Sequence, residues 1–591
     1  MLPVGDTERM SHFRRLLDYA RPYRGDLIRG IACMVVANTA APLIPLVIRR
    51  AIDGLASAAP SRILFGCAAG IVLLEVVRGV ATYALRMRIV GVSRSVERDL
   101  RRDAYARLQR LPPSWYLARN TGDILSRVTN DLEAVRMLLG PTILHGGNTI
   151  LLSIGAIAGM LSISPWLTLW SVIPMATLVA VVKLLGAAQH KRSRLVQEKL
   201  GELSTRAQEN FAGARVVRAF AREKIECAEF SALGADYLKK NLDLVRLQAL
   251  GTAVLAVVSE CGMLVTLWVC GNGIMEGRQT IGDLMAFIAF QFMLVWPMVL
   301  LGWVVNLWQR GRASMDRVFE VLDAPVEEQG PPPGSGAVAR EVKGEIEYRD
   351  VSFAYPERPP VLHGVSFCAR PGQRIGIVGR TGAGKTTLVS LLPRFFRPTA
   401  GRVLVDGVDV NEWPLEDLRR GIGFIPQDAF LFSERIRENI GFAPKGEDGG
   451  TWTLDEIASA ARRASFDRDI EGFPERYEQW IGERGVTLSG GQKQRATISR
   501  AVILGAPVLV FDDALSSVDA GTERAILAEL ERVAAGRTCL LISHRVATVR
   551  NADLILVLEE GRIVDRGTHE ELVSRDGHYA EMCRLQEAEI E

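Results

Sequence analysis

The chain has 591 residues, more than one compact core accommodates, so several folding units are expected. Lys and Arg number 71 against 68 Asp and Glu, a net charge of +3, and 7% of residues are aromatic. There is thus no bulk basic field or stacking surface, and nucleic acid is excluded as the expected partner. The eight cysteines include no CxxC pair, which argues against a zinc site or a disulfide framework.

Six apolar stretches approach or exceed the length needed to cross a hydrocarbon core of about 30 Å at about 1.5 Å per helical residue. They lie near residues 27–48, 63–85, 141–163, 166–187, 249–274 and 284–308. Long buried helices of a soluble bundle are the alternative, but so many apolar runs in half a chain favour membrane spans. A six-helix transmembrane domain is therefore predicted over residues 1–323.

The charged loops between the spans predict their orientation. The segment between the second and third spans is rich in arginine, from Arg86 to Arg136. The loop between the third and fourth spans is short and uncharged, and consists of little more than Ser164 and Pro165. Basic loops face the cytoplasm, and an even number of spans returns the chain to the same side. A multi-pass protein of the bacterial cytoplasmic (inner) membrane is expected, with both termini cytosolic and membrane lipids as neighbours.

The long loops are rich in helix formers and are predicted to extend spans two to five as helices into the cytosol. Residues 12–25 mix apolar side chains with arginines, as an interfacial amphipathic helix would, and a plain cytosolic lead-in is the alternative. Within the spans, Glu75 and Arg78 are three residues apart and are expected to pair. Glu260 has no evident partner in its span, and one interpretation places it in a water-filled cavity that favours cationic substrates.

Composition changes after the sixth span. Residues 324–344 are polar and rich in Pro and Gly, which is typical of a linker, and a soluble domain is predicted over residues 345–591. Short apolar runs such as RIGIVG and VLVFDD alternate with helical segments. This alternation indicates an α/β domain with a largely parallel sheet.

The run RIGIVGRTGAGKTTLVSLL has the GxxxxGK[ST] spacing of a phosphate-binding loop between a strand and a helix, and a chance glycine turn is the alternative. Its glycines let backbone N–H groups approach phosphates, Lys385 brings a cation to the β- and γ-phosphates, and the Thr386 hydroxyl can ligate Mg²⁺. ATP and Mg²⁺ are therefore the predicted ligands. The residues of this loop predicted to bind nucleotide are Gly379, Thr381, Gly382, Gly384, Lys385, Thr386 and Thr387.

Two further motifs follow. The apolar run VLVFD ends in Asp512, as a Walker B ligand of Mg²⁺ requires. Between the two Walker elements lies LSGGQ, whose Ser489, Gly490, Gly491 and Gln492 offer donors to an anion just before a helix. On its own this segment would read as an ordinary turn.

Together these motifs resemble the half-transporters of the ATP-binding cassette (ABC) superfamily over nearly the whole chain. The resemblance implies a six-helix transmembrane domain of exporter type fused to an α/β P-loop nucleotide-binding domain. It also implies that LSGGQ contacts ATP held by an opposing domain, so a second ABC half-transporter is the expected partner. Residues 115–135 and 209–223 resemble the two intracellular loops, whose tips are expected to dock on nucleotide-binding domains.

The resemblance assigns roles to single residues. Tyr355 is expected to stack on adenine, although a surface tyrosine is the alternative. Gln427 matches the Q-loop residue that senses Mg²⁺ and the membrane domain, and His544 matches the switch histidine of the γ-phosphate. Asp519 matches the D-loop, and Glu483 matches an acidic residue that touches the opposing subunit.

The chain departs from the family at the general base, because Asp513 follows Asp512 where relatives usually have Glu. Asp is one methylene shorter, so its carboxylate is expected to fall about 1 to 1.5 Å short of the attacking water. Hydrolysis at this chain's own Walker site should then be weak. A second departure places Glu434 and Arg435 after Ser433, where many relatives have Gly and Thr, and the sequence offers no physical account of it.

The expected function is ATP-driven export or flipping of a small amphipathic substrate, a drug or a lipid, by alternating access. The chain is expected to form one half of a heterodimer, which would supply a glutamate-bearing site that Asp513 does not. Import of a siderophore-like substrate on the same fold, a homodimeric lipid flippase and a channel-like regulatory protein are the alternatives.

Overall fold

The computed structural model describes residues 4–57, 59–328, 341–446, 449–482, 485, 487–514, 532, 534–575 and 577–588. One compact unit comprises Met1–Gln109 and Asn120–Ala324, and the other comprises Arg110–Arg119 and Pro325–Glu591. The second unit thus includes Arg110–Arg119, which lie within the range predicted as transmembrane domain.

Helices form most of the first 323 residues. In chain order they are α1 (Val4–Ala20), α2 (Arg24–Ala56), α3 (Ser61–Leu108), α4 (Pro113–Leu117), α5 (Thr121–Ser126), α6 (Leu132–Leu139), α7 (Pro141–Ile163), α8 (Pro165–Ala212), α9 (Ala214–Ala219), α10 (Glu223–Met275) and α11 (Ile281–Asp323). A 3-10 turn, Arg21–Tyr23, precedes α2, and a π-helical turn, Arg127–Asp131, precedes α6. Each predicted span falls within one long helix, namely α2, α3, α7, α8, α10 or α11.

Four stretches of the described chain are long and apolar enough to cross a membrane: His12–Ala56, Ser61–Leu108, Thr121–Ile163 and Glu223–Met275. The fourth predicted span lies in α8, where the side chains at 172 and 174–183 fall outside the described residues. The sixth lies in α11, whose apolar part Ile281–Val295 is shorter. Length and composition of the described residues therefore identify four of the six predicted spans.

The helices continue well beyond the thickness of a bilayer. Helix α3 has 48 residues and α10 has 53, which correspond to about 72 and 80 Å at about 1.5 Å per residue. Spans two, four and five thus lie in helices that extend far beyond the span, as predicted, whereas the helix of span three, α7, begins at Pro141 and has 23 residues. At the start of α11, the Thr280 hydroxyl accepts a hydrogen bond from Asp283 N and the Asp283 carboxylate accepts one from Thr280 N, so two backbone donors at the helix end are satisfied.

Helix α1 packs on the membrane unit itself. Leu16 is fully buried in a cluster with side chains of α3 and α11. The Tyr19 hydroxyl donates to Asp103 at 2.9 Å, and Arg15 pairs with Asp323 at 2.6 Å. Leu16 of this segment packs on protein, whereas Leu17 is 46% exposed, so the interfacial placement of the segment stays a prediction.

The predicted pair within the second span is present, since Arg78 Nη1 lies 3.3 Å from Glu75 Oε1. Glu260 is exposed on the surface of α10 in this single chain. Pairing of Glu75 and Arg78 reduces the cost of placing two charges in a span.

Two sheets form the second unit. Its strands are β1 (Ile346–Ala354), β2 (Pro360–Ala369), β3 (Arg374–Val378), β4 (Ala400–Val405), β5 (Val408–Asp409), β6 (Ile422–Ile425), β7 (Val508–Asp512), β8 (Thr538–Ile542), β9 (Leu554–Glu559) and β10 (Arg562–Gly567). One sheet has the order β2-β1-β4-β5 and is antiparallel, and the other has the order β10-β9-β3-β8-β7-β6. In the second sheet β3, β6, β7, β8 and β9 run parallel, and β10 pairs antiparallel at its edge.

Short helices cover these sheets. They are α12 (Lys385–Ser390), α13 (Leu415–Arg420), α14 (Ile436–Ile440), α15 (Leu454–Arg463), α16 (Asp467–Glu471), α17 (Gly490–Ile503), α18 (Val546–Val549), α19 (His569–Ser574) and α20 (His578–Ala588). The predicted α/β domain with a largely parallel sheet is confirmed.

Strand register brings the chemical groups to one edge of the parallel sheet. Ile377 of β3 pairs with Ile542 of β8, and Asp512 of β7 pairs with the same Ile542. The central strand residues, such as Ile375, Val510 and Leu540, are fully buried and fix this register. The loops that follow β3, β7 and β8 therefore emerge side by side, where ligands of open α/β sheets bind.

Candidate ATP-binding site

The loop between β3 and α12 has a backbone that requires glycine at two positions. Gly379 adopts φ +151°, and a Cβ there would lie 2.1 Å from the Leu558 carbonyl oxygen. Gly384 adopts φ +97°, and a Cβ there would lie 2.9 Å from Leu362 Cδ2. Only glycine allows the loop to turn this closely against its neighbours.

Lys385 lies directly after this loop and is 6% exposed. Its Nζ donates to the Gly379 carbonyl at 2.8 Å and to the Arg380 carbonyl at 2.9 Å, so the side chain lies along the loop that it follows. Burial lowers the pKa of Lys385, and the carboxylates of Asp513 and Asp512 oppose that shift. A partly desolvated ammonium group gains from an anion, which suits a phosphate partner.

Thr386 and Asp512 meet across the edge of the sheet. The Thr386 hydroxyl donates to Asp512 Oδ1 at 2.9 Å, and Asp512 is 2% exposed. Burial raises the pKa of Asp512, the Thr386 hydrogen bond lowers it, and the neighbouring Asp513 raises it further. The carboxylate is thus desolvated, and a cation at this position would relieve that cost.

Asp513 and His544 lie on the adjacent loops. Asp513 is buried and adopts φ +47°, a left-handed conformation, while its N–H donates to the Ile542 carbonyl at 3.0 Å. Its Oδ2 lies 4.0 Å from His544 Nε2, beyond hydrogen-bond distance. The His544 side chain is 41% exposed and open to a ligand.

Tyr355 reaches the same loop from β1. Its hydroxyl lies 3.0 Å from the Thr387 hydroxyl, and its ring contacts Phe353 and Phe396 edge-on. An aromatic ring is thereby held beside the phosphate-binding loop, which is compatible with the adenine-stacking role implied by the resemblance.

The LSGGQ segment begins helix α17. The Ser489 hydroxyl accepts from Gln492 N at 3.3 Å, and Gln492 Oε1 accepts from Ser489 N at 2.9 Å. Gln492 Nε2 also donates to Asp469 at 3.2 Å, and Arg495 pairs with the same carboxylate at 2.7 Å. Ser489 and Gln492 are therefore engaged in capping their own helix, and Gly490 and Gly491 form its first turn.

Comparisons with known proteins agree over both halves. Residues 27–298 match the family described as ABC transporter transmembrane region, and residues 362–516 match the family described as ABC transporter. A protein of Aromatoleum aromaticum named ATP-dependent lipid A-core flippase is 35% identical over 590 residues, covering 97% of this chain and 96% of the relative. The chain belongs to the ABC transporter family.

Two further similarities define the exporter type. The multidrug resistance-like ATP-binding protein MdlA of Escherichia coli is 33% identical over 587 residues, covering 98% of this chain and 97% of the relative. The solved structure of a bacterial Atm1-family ABC exporter with ATP bound matches with a TM-score of 0.77 at 27% identity, covering 95% of this chain and 99% of that chain. The chain is thus an ABC exporter that couples ATP hydrolysis to transport, with a helical transmembrane domain and an α/β nucleotide-binding domain, as the sequence predicts.

Of the other predicted site residues of this ABC exporter, the structure describes Gln427. Gln427 is exposed in the turn after β6. Asp519 and Glu483 lie outside the described residues, so their roles stay predictions. The described residues that converge at the edge of the sheet are Lys385, Thr386, Asp512, Asp513 and His544, with Tyr355 beside Thr387.

The donor set of this ABC exporter fits Mg²⁺. A hydroxyl and a carboxylate oxygen, from Thr386 and Asp512, are 2.9 Å apart, and oxygen atoms are the ligands that Mg²⁺ prefers. The carboxylate is buried beside a second acid, so a divalent cation would offset the repulsion between them.

The sequence does not indicate the role of Arg500, a residue of α17 that binds the backbone of other segments. Arg500 donates to the Asn439 carbonyl at 2.8 Å, to Asn439 Oδ1 at 2.9 Å and to the Phe430 carbonyl at 3.0 Å. Burial lowers its pKa to about 10, and its guanidinium lies over the rings of Phe432 and Phe442. An arginine within the helix that LSGGQ begins gives no local signal, because its partners lie 61 and 70 residues away in the sequence.

Of the two residues that depart after Ser433, Arg435 has a structural explanation, whereas the contact of Glu434 is made by its backbone and does not explain its side chain. Arg435 ion-pairs with Glu478, which also binds Arg437 at 2.7 Å. Arg435 N donates to Glu438 at 3.1 Å at the start of α14, and the Glu434 carbonyl accepts from Ile481 N at 2.9 Å. These residues join α14 to the segment before LSGGQ.

Proposed function

We propose that this ABC exporter moves an amphipathic drug or lipid by alternating access, as one half of a heterodimer whose own Walker site hydrolyses ATP weakly. The observation that carries the proposal is Asp513 in the position of the general base. The dimer itself follows from the expected role of LSGGQ, which completes the site of an opposing domain.

Each residue of the site has a proposed role toward ATP and Mg²⁺. Lys385 holds the β- and γ-phosphates, and Thr386, Asp512 and Gln427 hold the metal. A Mg²⁺ ion held there would neutralise charge on the phosphate oxygens. His544 contacts the γ-phosphate, and Tyr355 stacks on adenine. Asp513 orients the attacking water weakly, because its side chain is one methylene shorter than that of glutamate.

Two features of the Asp513 backbone support weak catalysis by its side chain. Its N–H is held by the Ile542 carbonyl at 3.0 Å, and its backbone already has φ +47°. A backbone shift that carried the shorter carboxylate about 1 Å farther would stretch this hydrogen bond and would start from a left-handed conformation, which is uncommon for residues with a side chain. These features oppose a backbone shift that would recover the reach lost with one methylene.

The signature segment supports a competent site elsewhere. LSGGQ is intact in sequence, and its serine and glutamine satisfy the first turn of α17. A partner that carries Glu after its Walker B Asp would then form the fast site against this chain, while this chain's own site would hold ATP for longer. Asymmetry of the two sites resolves the mismatch between an intact signature and a shortened base.

A cavity in the membrane unit supports an amphipathic substrate. It measures about 430 Å³ between α2 and α7, within the usual range of small-molecule sites. Most of its lining is apolar, with polar groups from Asn38, Thr39 and Ser162. Such a lining suits an alkyl chain or an apolar ring with one polar contact.

A homodimeric lipid flippase is the second candidate, because several relatives are named ATP-dependent lipid A-core flippases. Both ATP sites would then have Asp513 in the position of the general base and would have to sustain transport. Either assembly is proposed to lie in the cytoplasmic membrane with both termini cytosolic, which the Arg-rich loop between α3 and α7 supports.

Mutation of the two bases in the assembled transporter tests the heterodimer. Asp513→Asn should leave most ATPase activity intact, whereas replacing the partner's glutamate with glutamine should abolish it. Equal losses from both substitutions would contradict unequal sites. Lys385→Met serves as the control, because it should empty this chain's own site in either arrangement.

A further inference from the structure

We propose that Gln586, in the C-terminal helix α20, is a positioning residue for the switch histidine His544. Gln586 Nε2 donates to the His544 carbonyl oxygen at 2.6 Å, and Gln586 Oε1 accepts from Val546 N at 2.8 Å. One side-chain amide therefore spans the loop between β8 and α18, which carries the histidine.

The two hydrogen bonds fix the orientation of the amide. A backbone carbonyl only accepts and a backbone N–H only donates, so the amide nitrogen must face His544 and the amide oxygen must face Val546. Neither Glu nor Met can reproduce both contacts. The loop thus depends on the specific chemistry of glutamine rather than on its bulk.

Helix α20, which carries Gln586, is packed against neighbouring elements of its unit. Tyr579 and Cys583 are buried in a cluster with Val549, Ile555 and Val557 of the adjacent strand and helix. The Tyr579 hydroxyl lies 2.9 Å from His569 Nδ1 of α19. Gln586 follows Cys583 by three residues, so it lies about one turn farther along an anchored helix.

The His544 side chain itself has little to hold it. The side chain is 41% exposed. Within the described residues, its ion-pair contact is with Asp513, whose Oδ2 lies 4.0 Å from His544 Nε2. The position of the His544 side chain at the edge of the sheet is therefore set by the backbone of its loop. Gln586 holds this backbone through the His544 carbonyl, and the Ser543 hydroxyl accepts a hydrogen bond from Arg545 N at 3.0 Å. A displacement of about 1 Å in such a loop is enough to weaken contact with a reacting group.

This inference rests on the proposed role of His544 at the γ-phosphate. ATP and ADP differ by that phosphate, so the ratio of their dissociation constants reports the histidine directly and does not depend on turnover. A merely structural role of Gln586 would weaken both nucleotides alike.

The test measures ATP and ADP binding to the full-length chain in lipid nanodiscs. The variants are Gln586→Met, which keeps the side-chain length and removes both hydrogen bonds, Gln586→Glu, which keeps only the acceptor for Val546 N, and His544→Ala. Leu585→Met is the matched control, because Leu585 is the preceding residue and is 62% exposed. A double variant, Gln586→Met with His544→Ala, completes a mutant cycle.

We expect Gln586→Met and His544→Ala each to lower the preference for ATP over ADP about 3- to 10-fold, and the double variant to lose no more than His544→Ala alone. Gln586→Glu should lower the preference for ATP over ADP as Gln586→Met does. Leu585→Met should keep the wild-type preference. If His544→Ala lowers the preference while Gln586→Met does not, or if the two losses multiply, Gln586 does not act through His544 and the inference is overturned. If His544→Ala itself has no effect, the proposed role of the histidine fails and this inference fails with it.

Discussion

Replacing Lys385 with methionine removes the cation of the phosphate-binding loop while keeping most of the side-chain length. Lys385 is 6% exposed, and two of its three N–H groups are held by carbonyls at 2.8 and 2.9 Å. The third N–H and the charge are available to a phosphate. We expect ATP to bind much more weakly to the Lys385→Met variant.

The size of the loss follows from the kind of hydrogen bond removed. A hydrogen bond involving an ionised group contributes about 1.5 to 3 kcal/mol. At about 1.4 kcal/mol per tenfold change, the ATP dissociation constant should rise about 10- to 150-fold. The variant also frees the Gly379 and Arg380 carbonyls, so the loop that cradles the phosphates loses its internal ties.

The charge state of Lys385 adds a pH dependence. Burial lowers its pKa below the ordinary value of 10.5, and only the charged form attracts phosphate. ATP affinity should therefore be full below the lowered pKa and decrease as pH rises through it. The Lys385→Met variant should lack this decrease.

Equilibrium binding of ATP to the full-length chain in lipid nanodiscs measures both effects. Lys343→Met is the control, since Lys343 is an exposed lysine of the same unit. A change of less than about threefold in the dissociation constant of Lys385→Met would refute the placement of the phosphates on this loop.

Three further outcomes are expected. Asp512→Asn should remove the Mg²⁺-dependent part of ATP affinity and retain the Mg²⁺-independent part, and a retained Mg²⁺ dependence would refute the metal assignment. Arg500→Met should lower the free energy of unfolding by about 2 to 4 kcal/mol, because the carbonyl and side-chain oxygens of the buried Asn439 lose their donor, whereas Arg468→Met, at an exposed arginine, should change that free energy little. In a cysteine-free background, Asn120→Cys should resist an impermeant maleimide applied to intact cells, and its labelling from outside would contradict the cytosolic placement of that loop.

Local sequence patterns predict the parts of the fold that depend on local physics. Apolar length identifies the long helices, because a span of about 30 Å needs about 20 apolar residues in a row. The Walker motifs predict where Lys385 and Asp512 lie, since Lys385 comes after the strand β3, Asp512 ends the strand β7, and parallel strands end at one edge of the sheet. The bringing together of Thr386 and Asp512, 126 residues apart, is an expected consequence of that topology.

Other features depend on partners that are distant in the sequence. The antiparallel sheet pairs Ile346 with Ala369 and with Val405, and neither partner is marked by a local pattern. Arg435 looks anomalous until Glu478, 43 residues away, is seen beside it. The left-handed backbone of Asp513 and its hydrogen bond to the Ile542 carbonyl of a neighbouring strand are likewise not marked by a local pattern.

The rate of ATP hydrolysis by this chain purified alone tests the central claim most directly. We predict a low rate for the wild type and a rate at least about tenfold higher for Asp513→Glu, because the longer side chain restores the reach of a general base. Lys385→Met added to Asp513→Glu should return the rate to background. Robust hydrolysis by the wild-type chain alone that Asp513→Asn eliminates would contradict the account and favour a homodimer with two working Asp513 sites.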